Sequence, residues 1–285
     1  MDYKNIDIST WIQEGEGGMG KTYSRPDAPG VMLKVNKSST LNDEAAMRRE
    51  VETAQHVLAL GLTTPRMYEI VRVGDCFGMT FERIQGKRSL SRICADEPSR
   101  IAEAAALLAA EGKQLHATPC DTAFFPSRKE LALKAIDTAC FVYETDKQKM
   151  KSFVEGLSDE TTCVHGDMQM GNLIVSGEGK PYWIDLGWFS YGSPLFDIGH
   201  LYLLCNVYSQ FQGLRDITHM TQEQMLAFWD AFATAYSGSA DHADFDARAA
   251  KFAPLDECVL SYHIPRPSAH QMFAHVVHSF VEKYY

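Results

Sequence analysis

At 285 residues the chain can bury a large share of the surface it exposes unfolded, and it is too long to be a small disulfide-stapled module. Hydrophobic residues at 45% and charged residues at 22% lie near the globular average, which excludes wholesale disorder and a fibrous repeat. The formal charge of −10, from 27 basic and 37 acidic residues, opposes binding to nucleic acid or anionic lipid and suits neutral or cationic partners.

Seven scattered cysteines, none closer than 18 residues to the next, offer no zinc spacing and suggest a reducing, cytoplasmic setting. Acidic residues stand among Met1 to Asp7 where a signal peptide would be basic, and the most apolar stretch, Leu195 to Phe211, is interrupted by Asp197 and His200. A soluble protein without a membrane partner is expected.

In chain order, β-like segments fall near Ile8 to Gln13, Lys21 to Ser24, Val31 to Val35, Met67 to Val73 and Phe77 to Glu82. Between the third and fourth lies one helix, Asn42 to Leu60, with Asn42 as N-cap, Gly61 as stop and Pro65 beyond. A change of period near Gln85-Gly86-Lys87 separates this half from a mainly helical one, with no internal repeat. Helices are expected at Pro98 to His116, Arg128 to Tyr143 and Lys147 to Leu157, then a hairpin over Asn172 to Asp185 turning at Gly177 to Lys180. Further helices are expected at Leu195 to Ser209, at Gln222 to Tyr236 behind a Thr221/Gln224 capping box, and at Ala269 to Tyr284.

Gly15-Glu16-Gly17-Gly18-Met19-Gly20-Lys21-Thr22 satisfies both the ATPase P-loop expression and G-x-G-x-x-G. A P-loop must open into a helix whose N-terminal amides hold phosphate, but Pro26, Pro29 and Gly30 follow closely, so strand, turn, strand is expected. That shape is a lid in which Gly15, Gly17, Gly18 and Gly20 would approach nucleotide phosphates. Lys34, a lysine inside the apolar run Val31 to Val35, would serve as phosphate cation if a carboxylate held it, with Glu50 favoured over Glu44.

Asp167 and Asn172 lie five residues apart, and Asp185 follows thirteen residues later at the end of a strand. Phosphoryl transfer needs one carboxylate to orient the attacking hydroxyl and hard oxygens to hold Mg²⁺ against the phosphates of ATP. Asp167 suits the first role; Asn172 and Asp185 suit the second.

The runs His165-Gly166-Asp167 to Asn172, Ile184-Asp185-Leu186-Gly187 and Gly192 to Ile198 together resemble the aminoglycoside phosphotransferase and choline kinase group, small-molecule relatives of protein kinases. The resemblance implies an α+β, two-lobed, protein-kinase-like fold. Residues 1–85 would form a small antiparallel-sheet N-lobe with one helix, and residues 86–285 a larger, mainly helical C-lobe carrying the catalytic loop, metal site and acceptor-binding helices. It also implies that Phe81 to Ile84 is a hinge, with Glu82 and Ile84 meeting adenine, and that Asp197 braces the catalytic loop. Two departures are a richer glycine loop and Ser193 in place of an aspartate. Only eleven residues separate Asp185 from Asp197, too few for a protein kinase's activation loop, so a peptide substrate is not expected.

The expected activity is transfer of the γ-phosphoryl group to a hydroxyl of a small molecule. The alternative is a catalytically impaired nucleotide sensor. Of the charge deficit, 17 basic against 25 acidic residues fall after Gly86, a field that would draw a cationic acceptor or simply solvate the surface. Asp241, Asp244, Asp246, Asp256 and Glu257 are candidates for amine contacts. Trp183, Trp188, Phe189, Tyr191, Trp229 and Tyr236 are either an ammonium cage or core. Choline, aminoglycosides and other small alcohols stay open as acceptors, and no signal of oligomeric state is present.

Overall fold

The computed structural model describes residues 3–16, 20–36 and 44–285. Ile12–Glu16 (β1), Gly20–Ser24 (β2), Val31–Asn36 (β3), Met67–Val73 (β4) and Cys76–Glu82 (β5) form an antiparallel sheet in the order β1-β2-β3-β5-β4. Strand, not helix, follows Gly20, which excludes the P-loop arrangement. Both faces of the sheet are apolar and covered. Leu33, Val35 and Val71 pack with Ile6, Ile8 and Trp11, while Phe77 and Met79 meet Met47 and Val51 of Glu44–Ala59 (α1). Burying each such side chain contributes about 1.5–3 kcal/mol, enough to hold a one-helix sheet together. The first strand starts at Ile12 rather than Ile8, and the expected Asn42 cap lies outside the described residues.

After Arg88–Ser89 (β6) come Leu90–Asp96 (α2), Ile101–Ala117 (α3), Arg128–Thr138 (α4) and Glu144–Glu155 (α5). Helix α4 ends five residues earlier than expected because Ala139 adopts an extended conformation. Cys163–Val164 (β7), Leu173–Val175 (β8), Pro181–Trp183 (β9) and Ser190–Tyr191 (β10) are short; β7 pairs with β10. Helices then dominate: Leu195–Asn206 (α6), Gln212–Thr218 (α7), Gln222–Ser237 (α8), Ala243–His263 (α9) and His270–Tyr284 (α10). The capping box of α8 is present, with Gln224 N–H donating to Thr221 Oγ1 at 3.2 Å and Thr221 N–H to Gln224 Oε1 at 2.8 Å. Helices α2, α7 and α9 were not anticipated from periodicity.

The chain divides into two units, one running up to Arg88 and including Ile174–Gly187, the other comprising Ser89–Leu173 and Trp188–Tyr285. The division corrects the expected boundary in one respect: residues 174–187, placed with the helical half, group with the sheet. Trp183 N–H donates to Thr63 O and Gly177 N–H to Gln85 O, both at 2.8 Å. In the second unit Phe196, Phe252, Leu255, Val259 and Val277 build a core between α4, α5, α6, α9 and α10. Helices α6 and α9 pack tightly at Gly199, where a Cβ would stand 2.5 Å from Phe252 Cβ. Among the described residues no helix is long and apolar enough to cross a membrane. All seven cysteines are free.

Candidate active site

The first unit encloses a cavity of about 550 Å³ lined by Gly15, Lys34, Glu50, Glu82, Ile84 and Asp185, among others. Strand β3 places Lys34 between Thr22 of β2 and Met79 of β5. Its Nζ donates to Glu50 Oε1 at 2.7 Å and Oε2 at 3.0 Å. With side chains 27% and 39% exposed, such a pair adds at most about 1 kcal/mol of stability, so its effect lies in where it holds the ammonium. Glu44 is engaged elsewhere, accepting from Tyr3 Oη and Arg48 Nη2.

Gly15 lies on β1 opposite Thr22, and Gly20 opens β2; Gly17 and Gly18 lie outside the described residues. The Glu82 carboxylate is tied to Arg66 N–H at 3.1 Å, and Arg83, Ile84 and Gln85 after β5 line the cavity. Glu82 N–H and Arg83 N–H donate to Arg66 O and Gly30 O, whereas Ile84 N–H meets no acceptor among the described residues. Asp185 is exposed and left-handed at φ 59°, a conformation that aspartate tolerates better than most residues.

In the second unit the loop after β7 carries His165, Asp167 and Asn172. Buried Asp197, in the first turn of α6, accepts from His165 N–H at 2.7 Å and Gly166 N–H at 2.8 Å. His116 Nε2 stands 3.0 Å from the same carboxylate, and its Nδ1 meets Tyr236 Oη at 2.7 Å. Burial pushes the Asp197 carboxyl up, but His116, His165 and the backbone donor outweigh it and hold the group below its ordinary value. Gly166 has φ 86°, and a Cβ there would lie 2.2 Å from Trp188 O. Gly166→Ala is therefore expected to lose about 3 kcal/mol or more, read as a melting-temperature drop of roughly 6–12 °C by calorimetry.

Asp167, 18% exposed, is surrounded by donors. Asn172 Nδ2 donates to its Oδ2 at 2.8 Å and to its backbone carbonyl at 2.9 Å, and Gln169 Nε2 donates to Oδ1 at 3.1 Å. This commits the Asn172 amide nitrogen to the loop and turns its oxygen elsewhere. The acid and the amide thus meet, as their five-residue spacing implied.

The sequence matches the phosphotransferase enzyme family, APH, over residues 21–243. The chain belongs to this family. No curated protein matches it in a sequence search. Among solved structures, the chain is similar to a thermostable mutant of aminoglycoside phosphotransferase APH(4)-Ia in ternary complex with AMP-PNP and hygromycin B. The TM-score is 0.64 at 14% identity, covering 96% of this chain and 93% of that one. It is also similar to the choline kinase LicA from Streptococcus pneumoniae, with TM-score 0.56, 13% identity and coverage of 97% and 95%. ADP-bound APH(2'')-Ib gives TM-score 0.55, 18% identity and coverage of 97% and 93%. At these identities the likeness is one of fold: the chain is α+β and kinase-like.

Two groups of residues differ from the expectation. Asp256 and Glu257, set among candidate amine contacts, are buried at 2% and 0% exposure. Asp256 is held by Arg128 and His200; Glu257 accepts from Tyr208 Oη and Ser261 Oγ, and burial pushes its carboxyl up to about 7. Asp246 is occupied by Trp229 Nε1 and His242, each at 3.0 Å. Of the aromatics, Trp183, Phe189 and Trp229 are core residues, while Trp188 stacks on His263 with centroids 4.6 Å apart.

Sequence reasoning gave no role to Arg128 or His200. The available signal was His200 standing three residues after Asp197, on the same face of α6. Burial lowers the affinity of the His200 ring for a proton, but Asp256 and Asp167 more than restore it, raising its pKa to about 10. The stability contributed by this imidazolium is complete below the ordinary histidine value of 6.5 and is lost as pH rises through about 10. Denaturant midpoints are expected to fall over that interval in the wild type, and to fall less in His200→Gln.

Proposed function

We propose that this phosphotransferase moves the γ-phosphoryl group of ATP to a hydroxyl of a small molecule, with Mg²⁺. Hard, oxygen-bearing side chains of the kind Mg²⁺ takes are present: the amide oxygen of Asn172, turned away from Asp167, and the exposed carboxylate of Asp185. Those two residues would hold the ion, which when bound neutralises charge on the β- and γ-phosphates. Lys34, fixed by Glu50, binds phosphate oxygens, and Gly15 and Gly20, which flank the glycine loop, approach them by backbone. Ile84 N–H, with the backbone at Glu82, receives the adenine edge.

Asp167 orients the acceptor hydroxyl and accepts its proton as the oxygen attacks. Asp197 keeps the loop backbone in place while this happens. The observation that carries the reading is the Asp167–Asn172 contact at 2.8 Å within a loop braced by a fully buried carboxylate. Hygromycin B bound to one structural neighbour and the choline kinase activity named for another support a small hydroxyl compound as acceptor. The acidic second half favours a cationic one.

An ADP-release assay with Mg·ATP across aminoglycosides, choline, sugars and other alcohols tests the reading. Acceptor-dependent ADP formation is expected, with Lys34→Ala raising KM for ATP about tenfold through loss of one charge-assisted contact. Nucleotide binding without turnover on any acceptor would favour the sensor instead.

A further inference from the structure

We propose that the buried chain Arg128, Asp256 and His200 is a positioning device for Asp167, fixing its Oδ1 so that a lone pair of Oδ2 remains for the acceptor hydroxyl. The inference rests on the assignment of Asp167 to the acceptor. His200, 2% exposed, presents one ring nitrogen to each of two carboxylates: Nδ1 lies 2.8 Å from Asp256 Oδ2, and Nε2 lies 2.8 Å from Asp167 Oδ1. Nε2 makes no hydrogen bond of accepted geometry, so the second contact acts through charge. An imidazole facing acceptors at both nitrogens can satisfy them only as an imidazolium.

The network returns to where it began. Arg128 Nη2 stands 3.4 Å from Asp256 Oδ1 and donates to Gly166 O at 3.0 Å, on the residue adjoining Asp167. Three charges from α4, α6 and α9 therefore clamp two consecutive loop residues, the backbone at Gly166 and the side chain at Asp167. Helix α6 holds the loop twice, through Asp197 at the backbone amides and through His200 one turn later. A buried ionic set of this kind is poor value as stabilisation alone, since apolar replacements of similar volume commonly do as well. Its placement on the reacting carboxylate gives it a function. The charged and titratable groups around His200 are Asp167 and His165 of the loop, Asp256 of α9, with Arg128 of α4 and His263 of α9 behind it, and Asp197 of α6, paired with His116 of α3.

The test uses the full chain, with Mg·ATP and water as the acceptor, followed by phosphate release. His200→Ala is expected to lower kcat about 30-fold with KM for ATP within about twofold, as a misplaced catalytic group does. Asp256→Asn should act in the same direction, and His200→Gln, which restores one N–H donor, should recover part of the loss. In wild-type protein with ¹⁵N-labelled histidine, the His200 ring should be doubly protonated at about pH 7–8. Unchanged kcat in folded His200→Ala and Asp256→Asn, with Asp167→Ala inactive, would overturn the device and leave Asp167 in its role. Wild-type turnover in Asp167→Ala would instead remove the role on which the device rests. Should His200→Ala fail to fold, Asp256→Asn and the ring spectrum decide, and a neutral His200 ring at about pH 7 counts against the proposal.

Discussion

Asp167→Ala is expected to cut acceptor phosphorylation by about three orders of magnitude, within the range for loss of a positioned general base. Nucleotide affinity should survive, because Lys34, Glu50 and the backbone at Ile84 belong to the first unit and do not depend on this carboxylate. Binding of a fluorescent ATP analogue alongside the ADP-release assay separates the two effects. A parallel loss of affinity would mean that Asp167 acts on the nucleotide rather than on the acceptor.

Asp197→Ala should damage the fold itself. The carboxylate is fully buried and accepts from two backbone amides and His116, so its removal strands three polar groups in the interior. Breaking one partner out of such a set costs about 3–5 kcal/mol, a melting-temperature drop of roughly 6–20 °C for a chain of this size. Calorimetry reads the loss directly. Because the same atoms fix His165 and Gly166, turnover should fall with it. Asp197→Asn, which keeps one acceptor oxygen, should recover part of the stability.

The parts of the site that were legible in the sequence are those whose chemistry is local. Asp167 and Asn172 share one loop, and five residues suffice to bring them together. The prolines at 26 and 29 ruled out a helix after the glycine loop before any strand was seen. Lys34 stood out because a strand rarely carries a lysine in an apolar run, and Glu50 rather than Glu44 meets it. The positioning network was illegible for a definite reason. Helix α9 is buried on many sides, from Phe245 and Ala249 to an unbroken run over Phe252–Val259, and holds Pro254 in its interior. It therefore shows no amphipathic stripe, and periodicity passes over it. With α9 unread, Asp256 and Glu257 looked like an acidic surface, and His200 had no visible partner. Residues 174–187 were misassigned for a related reason: a hairpin's period does not say which sheet it joins, and that was decided by hydrogen bonds to Thr63 and Gln85.

The proposed metal ligands Asn172 and Asp185 belong to different units, so the most direct measurement is a crystal structure with Mn²⁺ and a non-hydrolysable ATP analogue, the ion located by its anomalous scattering. The account predicts Mn²⁺ ligated by Asn172 Oδ1 and an Asp185 carboxylate oxygen, with the phosphates on Lys34. An ion bound through neither side chain, or a nucleotide seated away from Lys34, would contradict it.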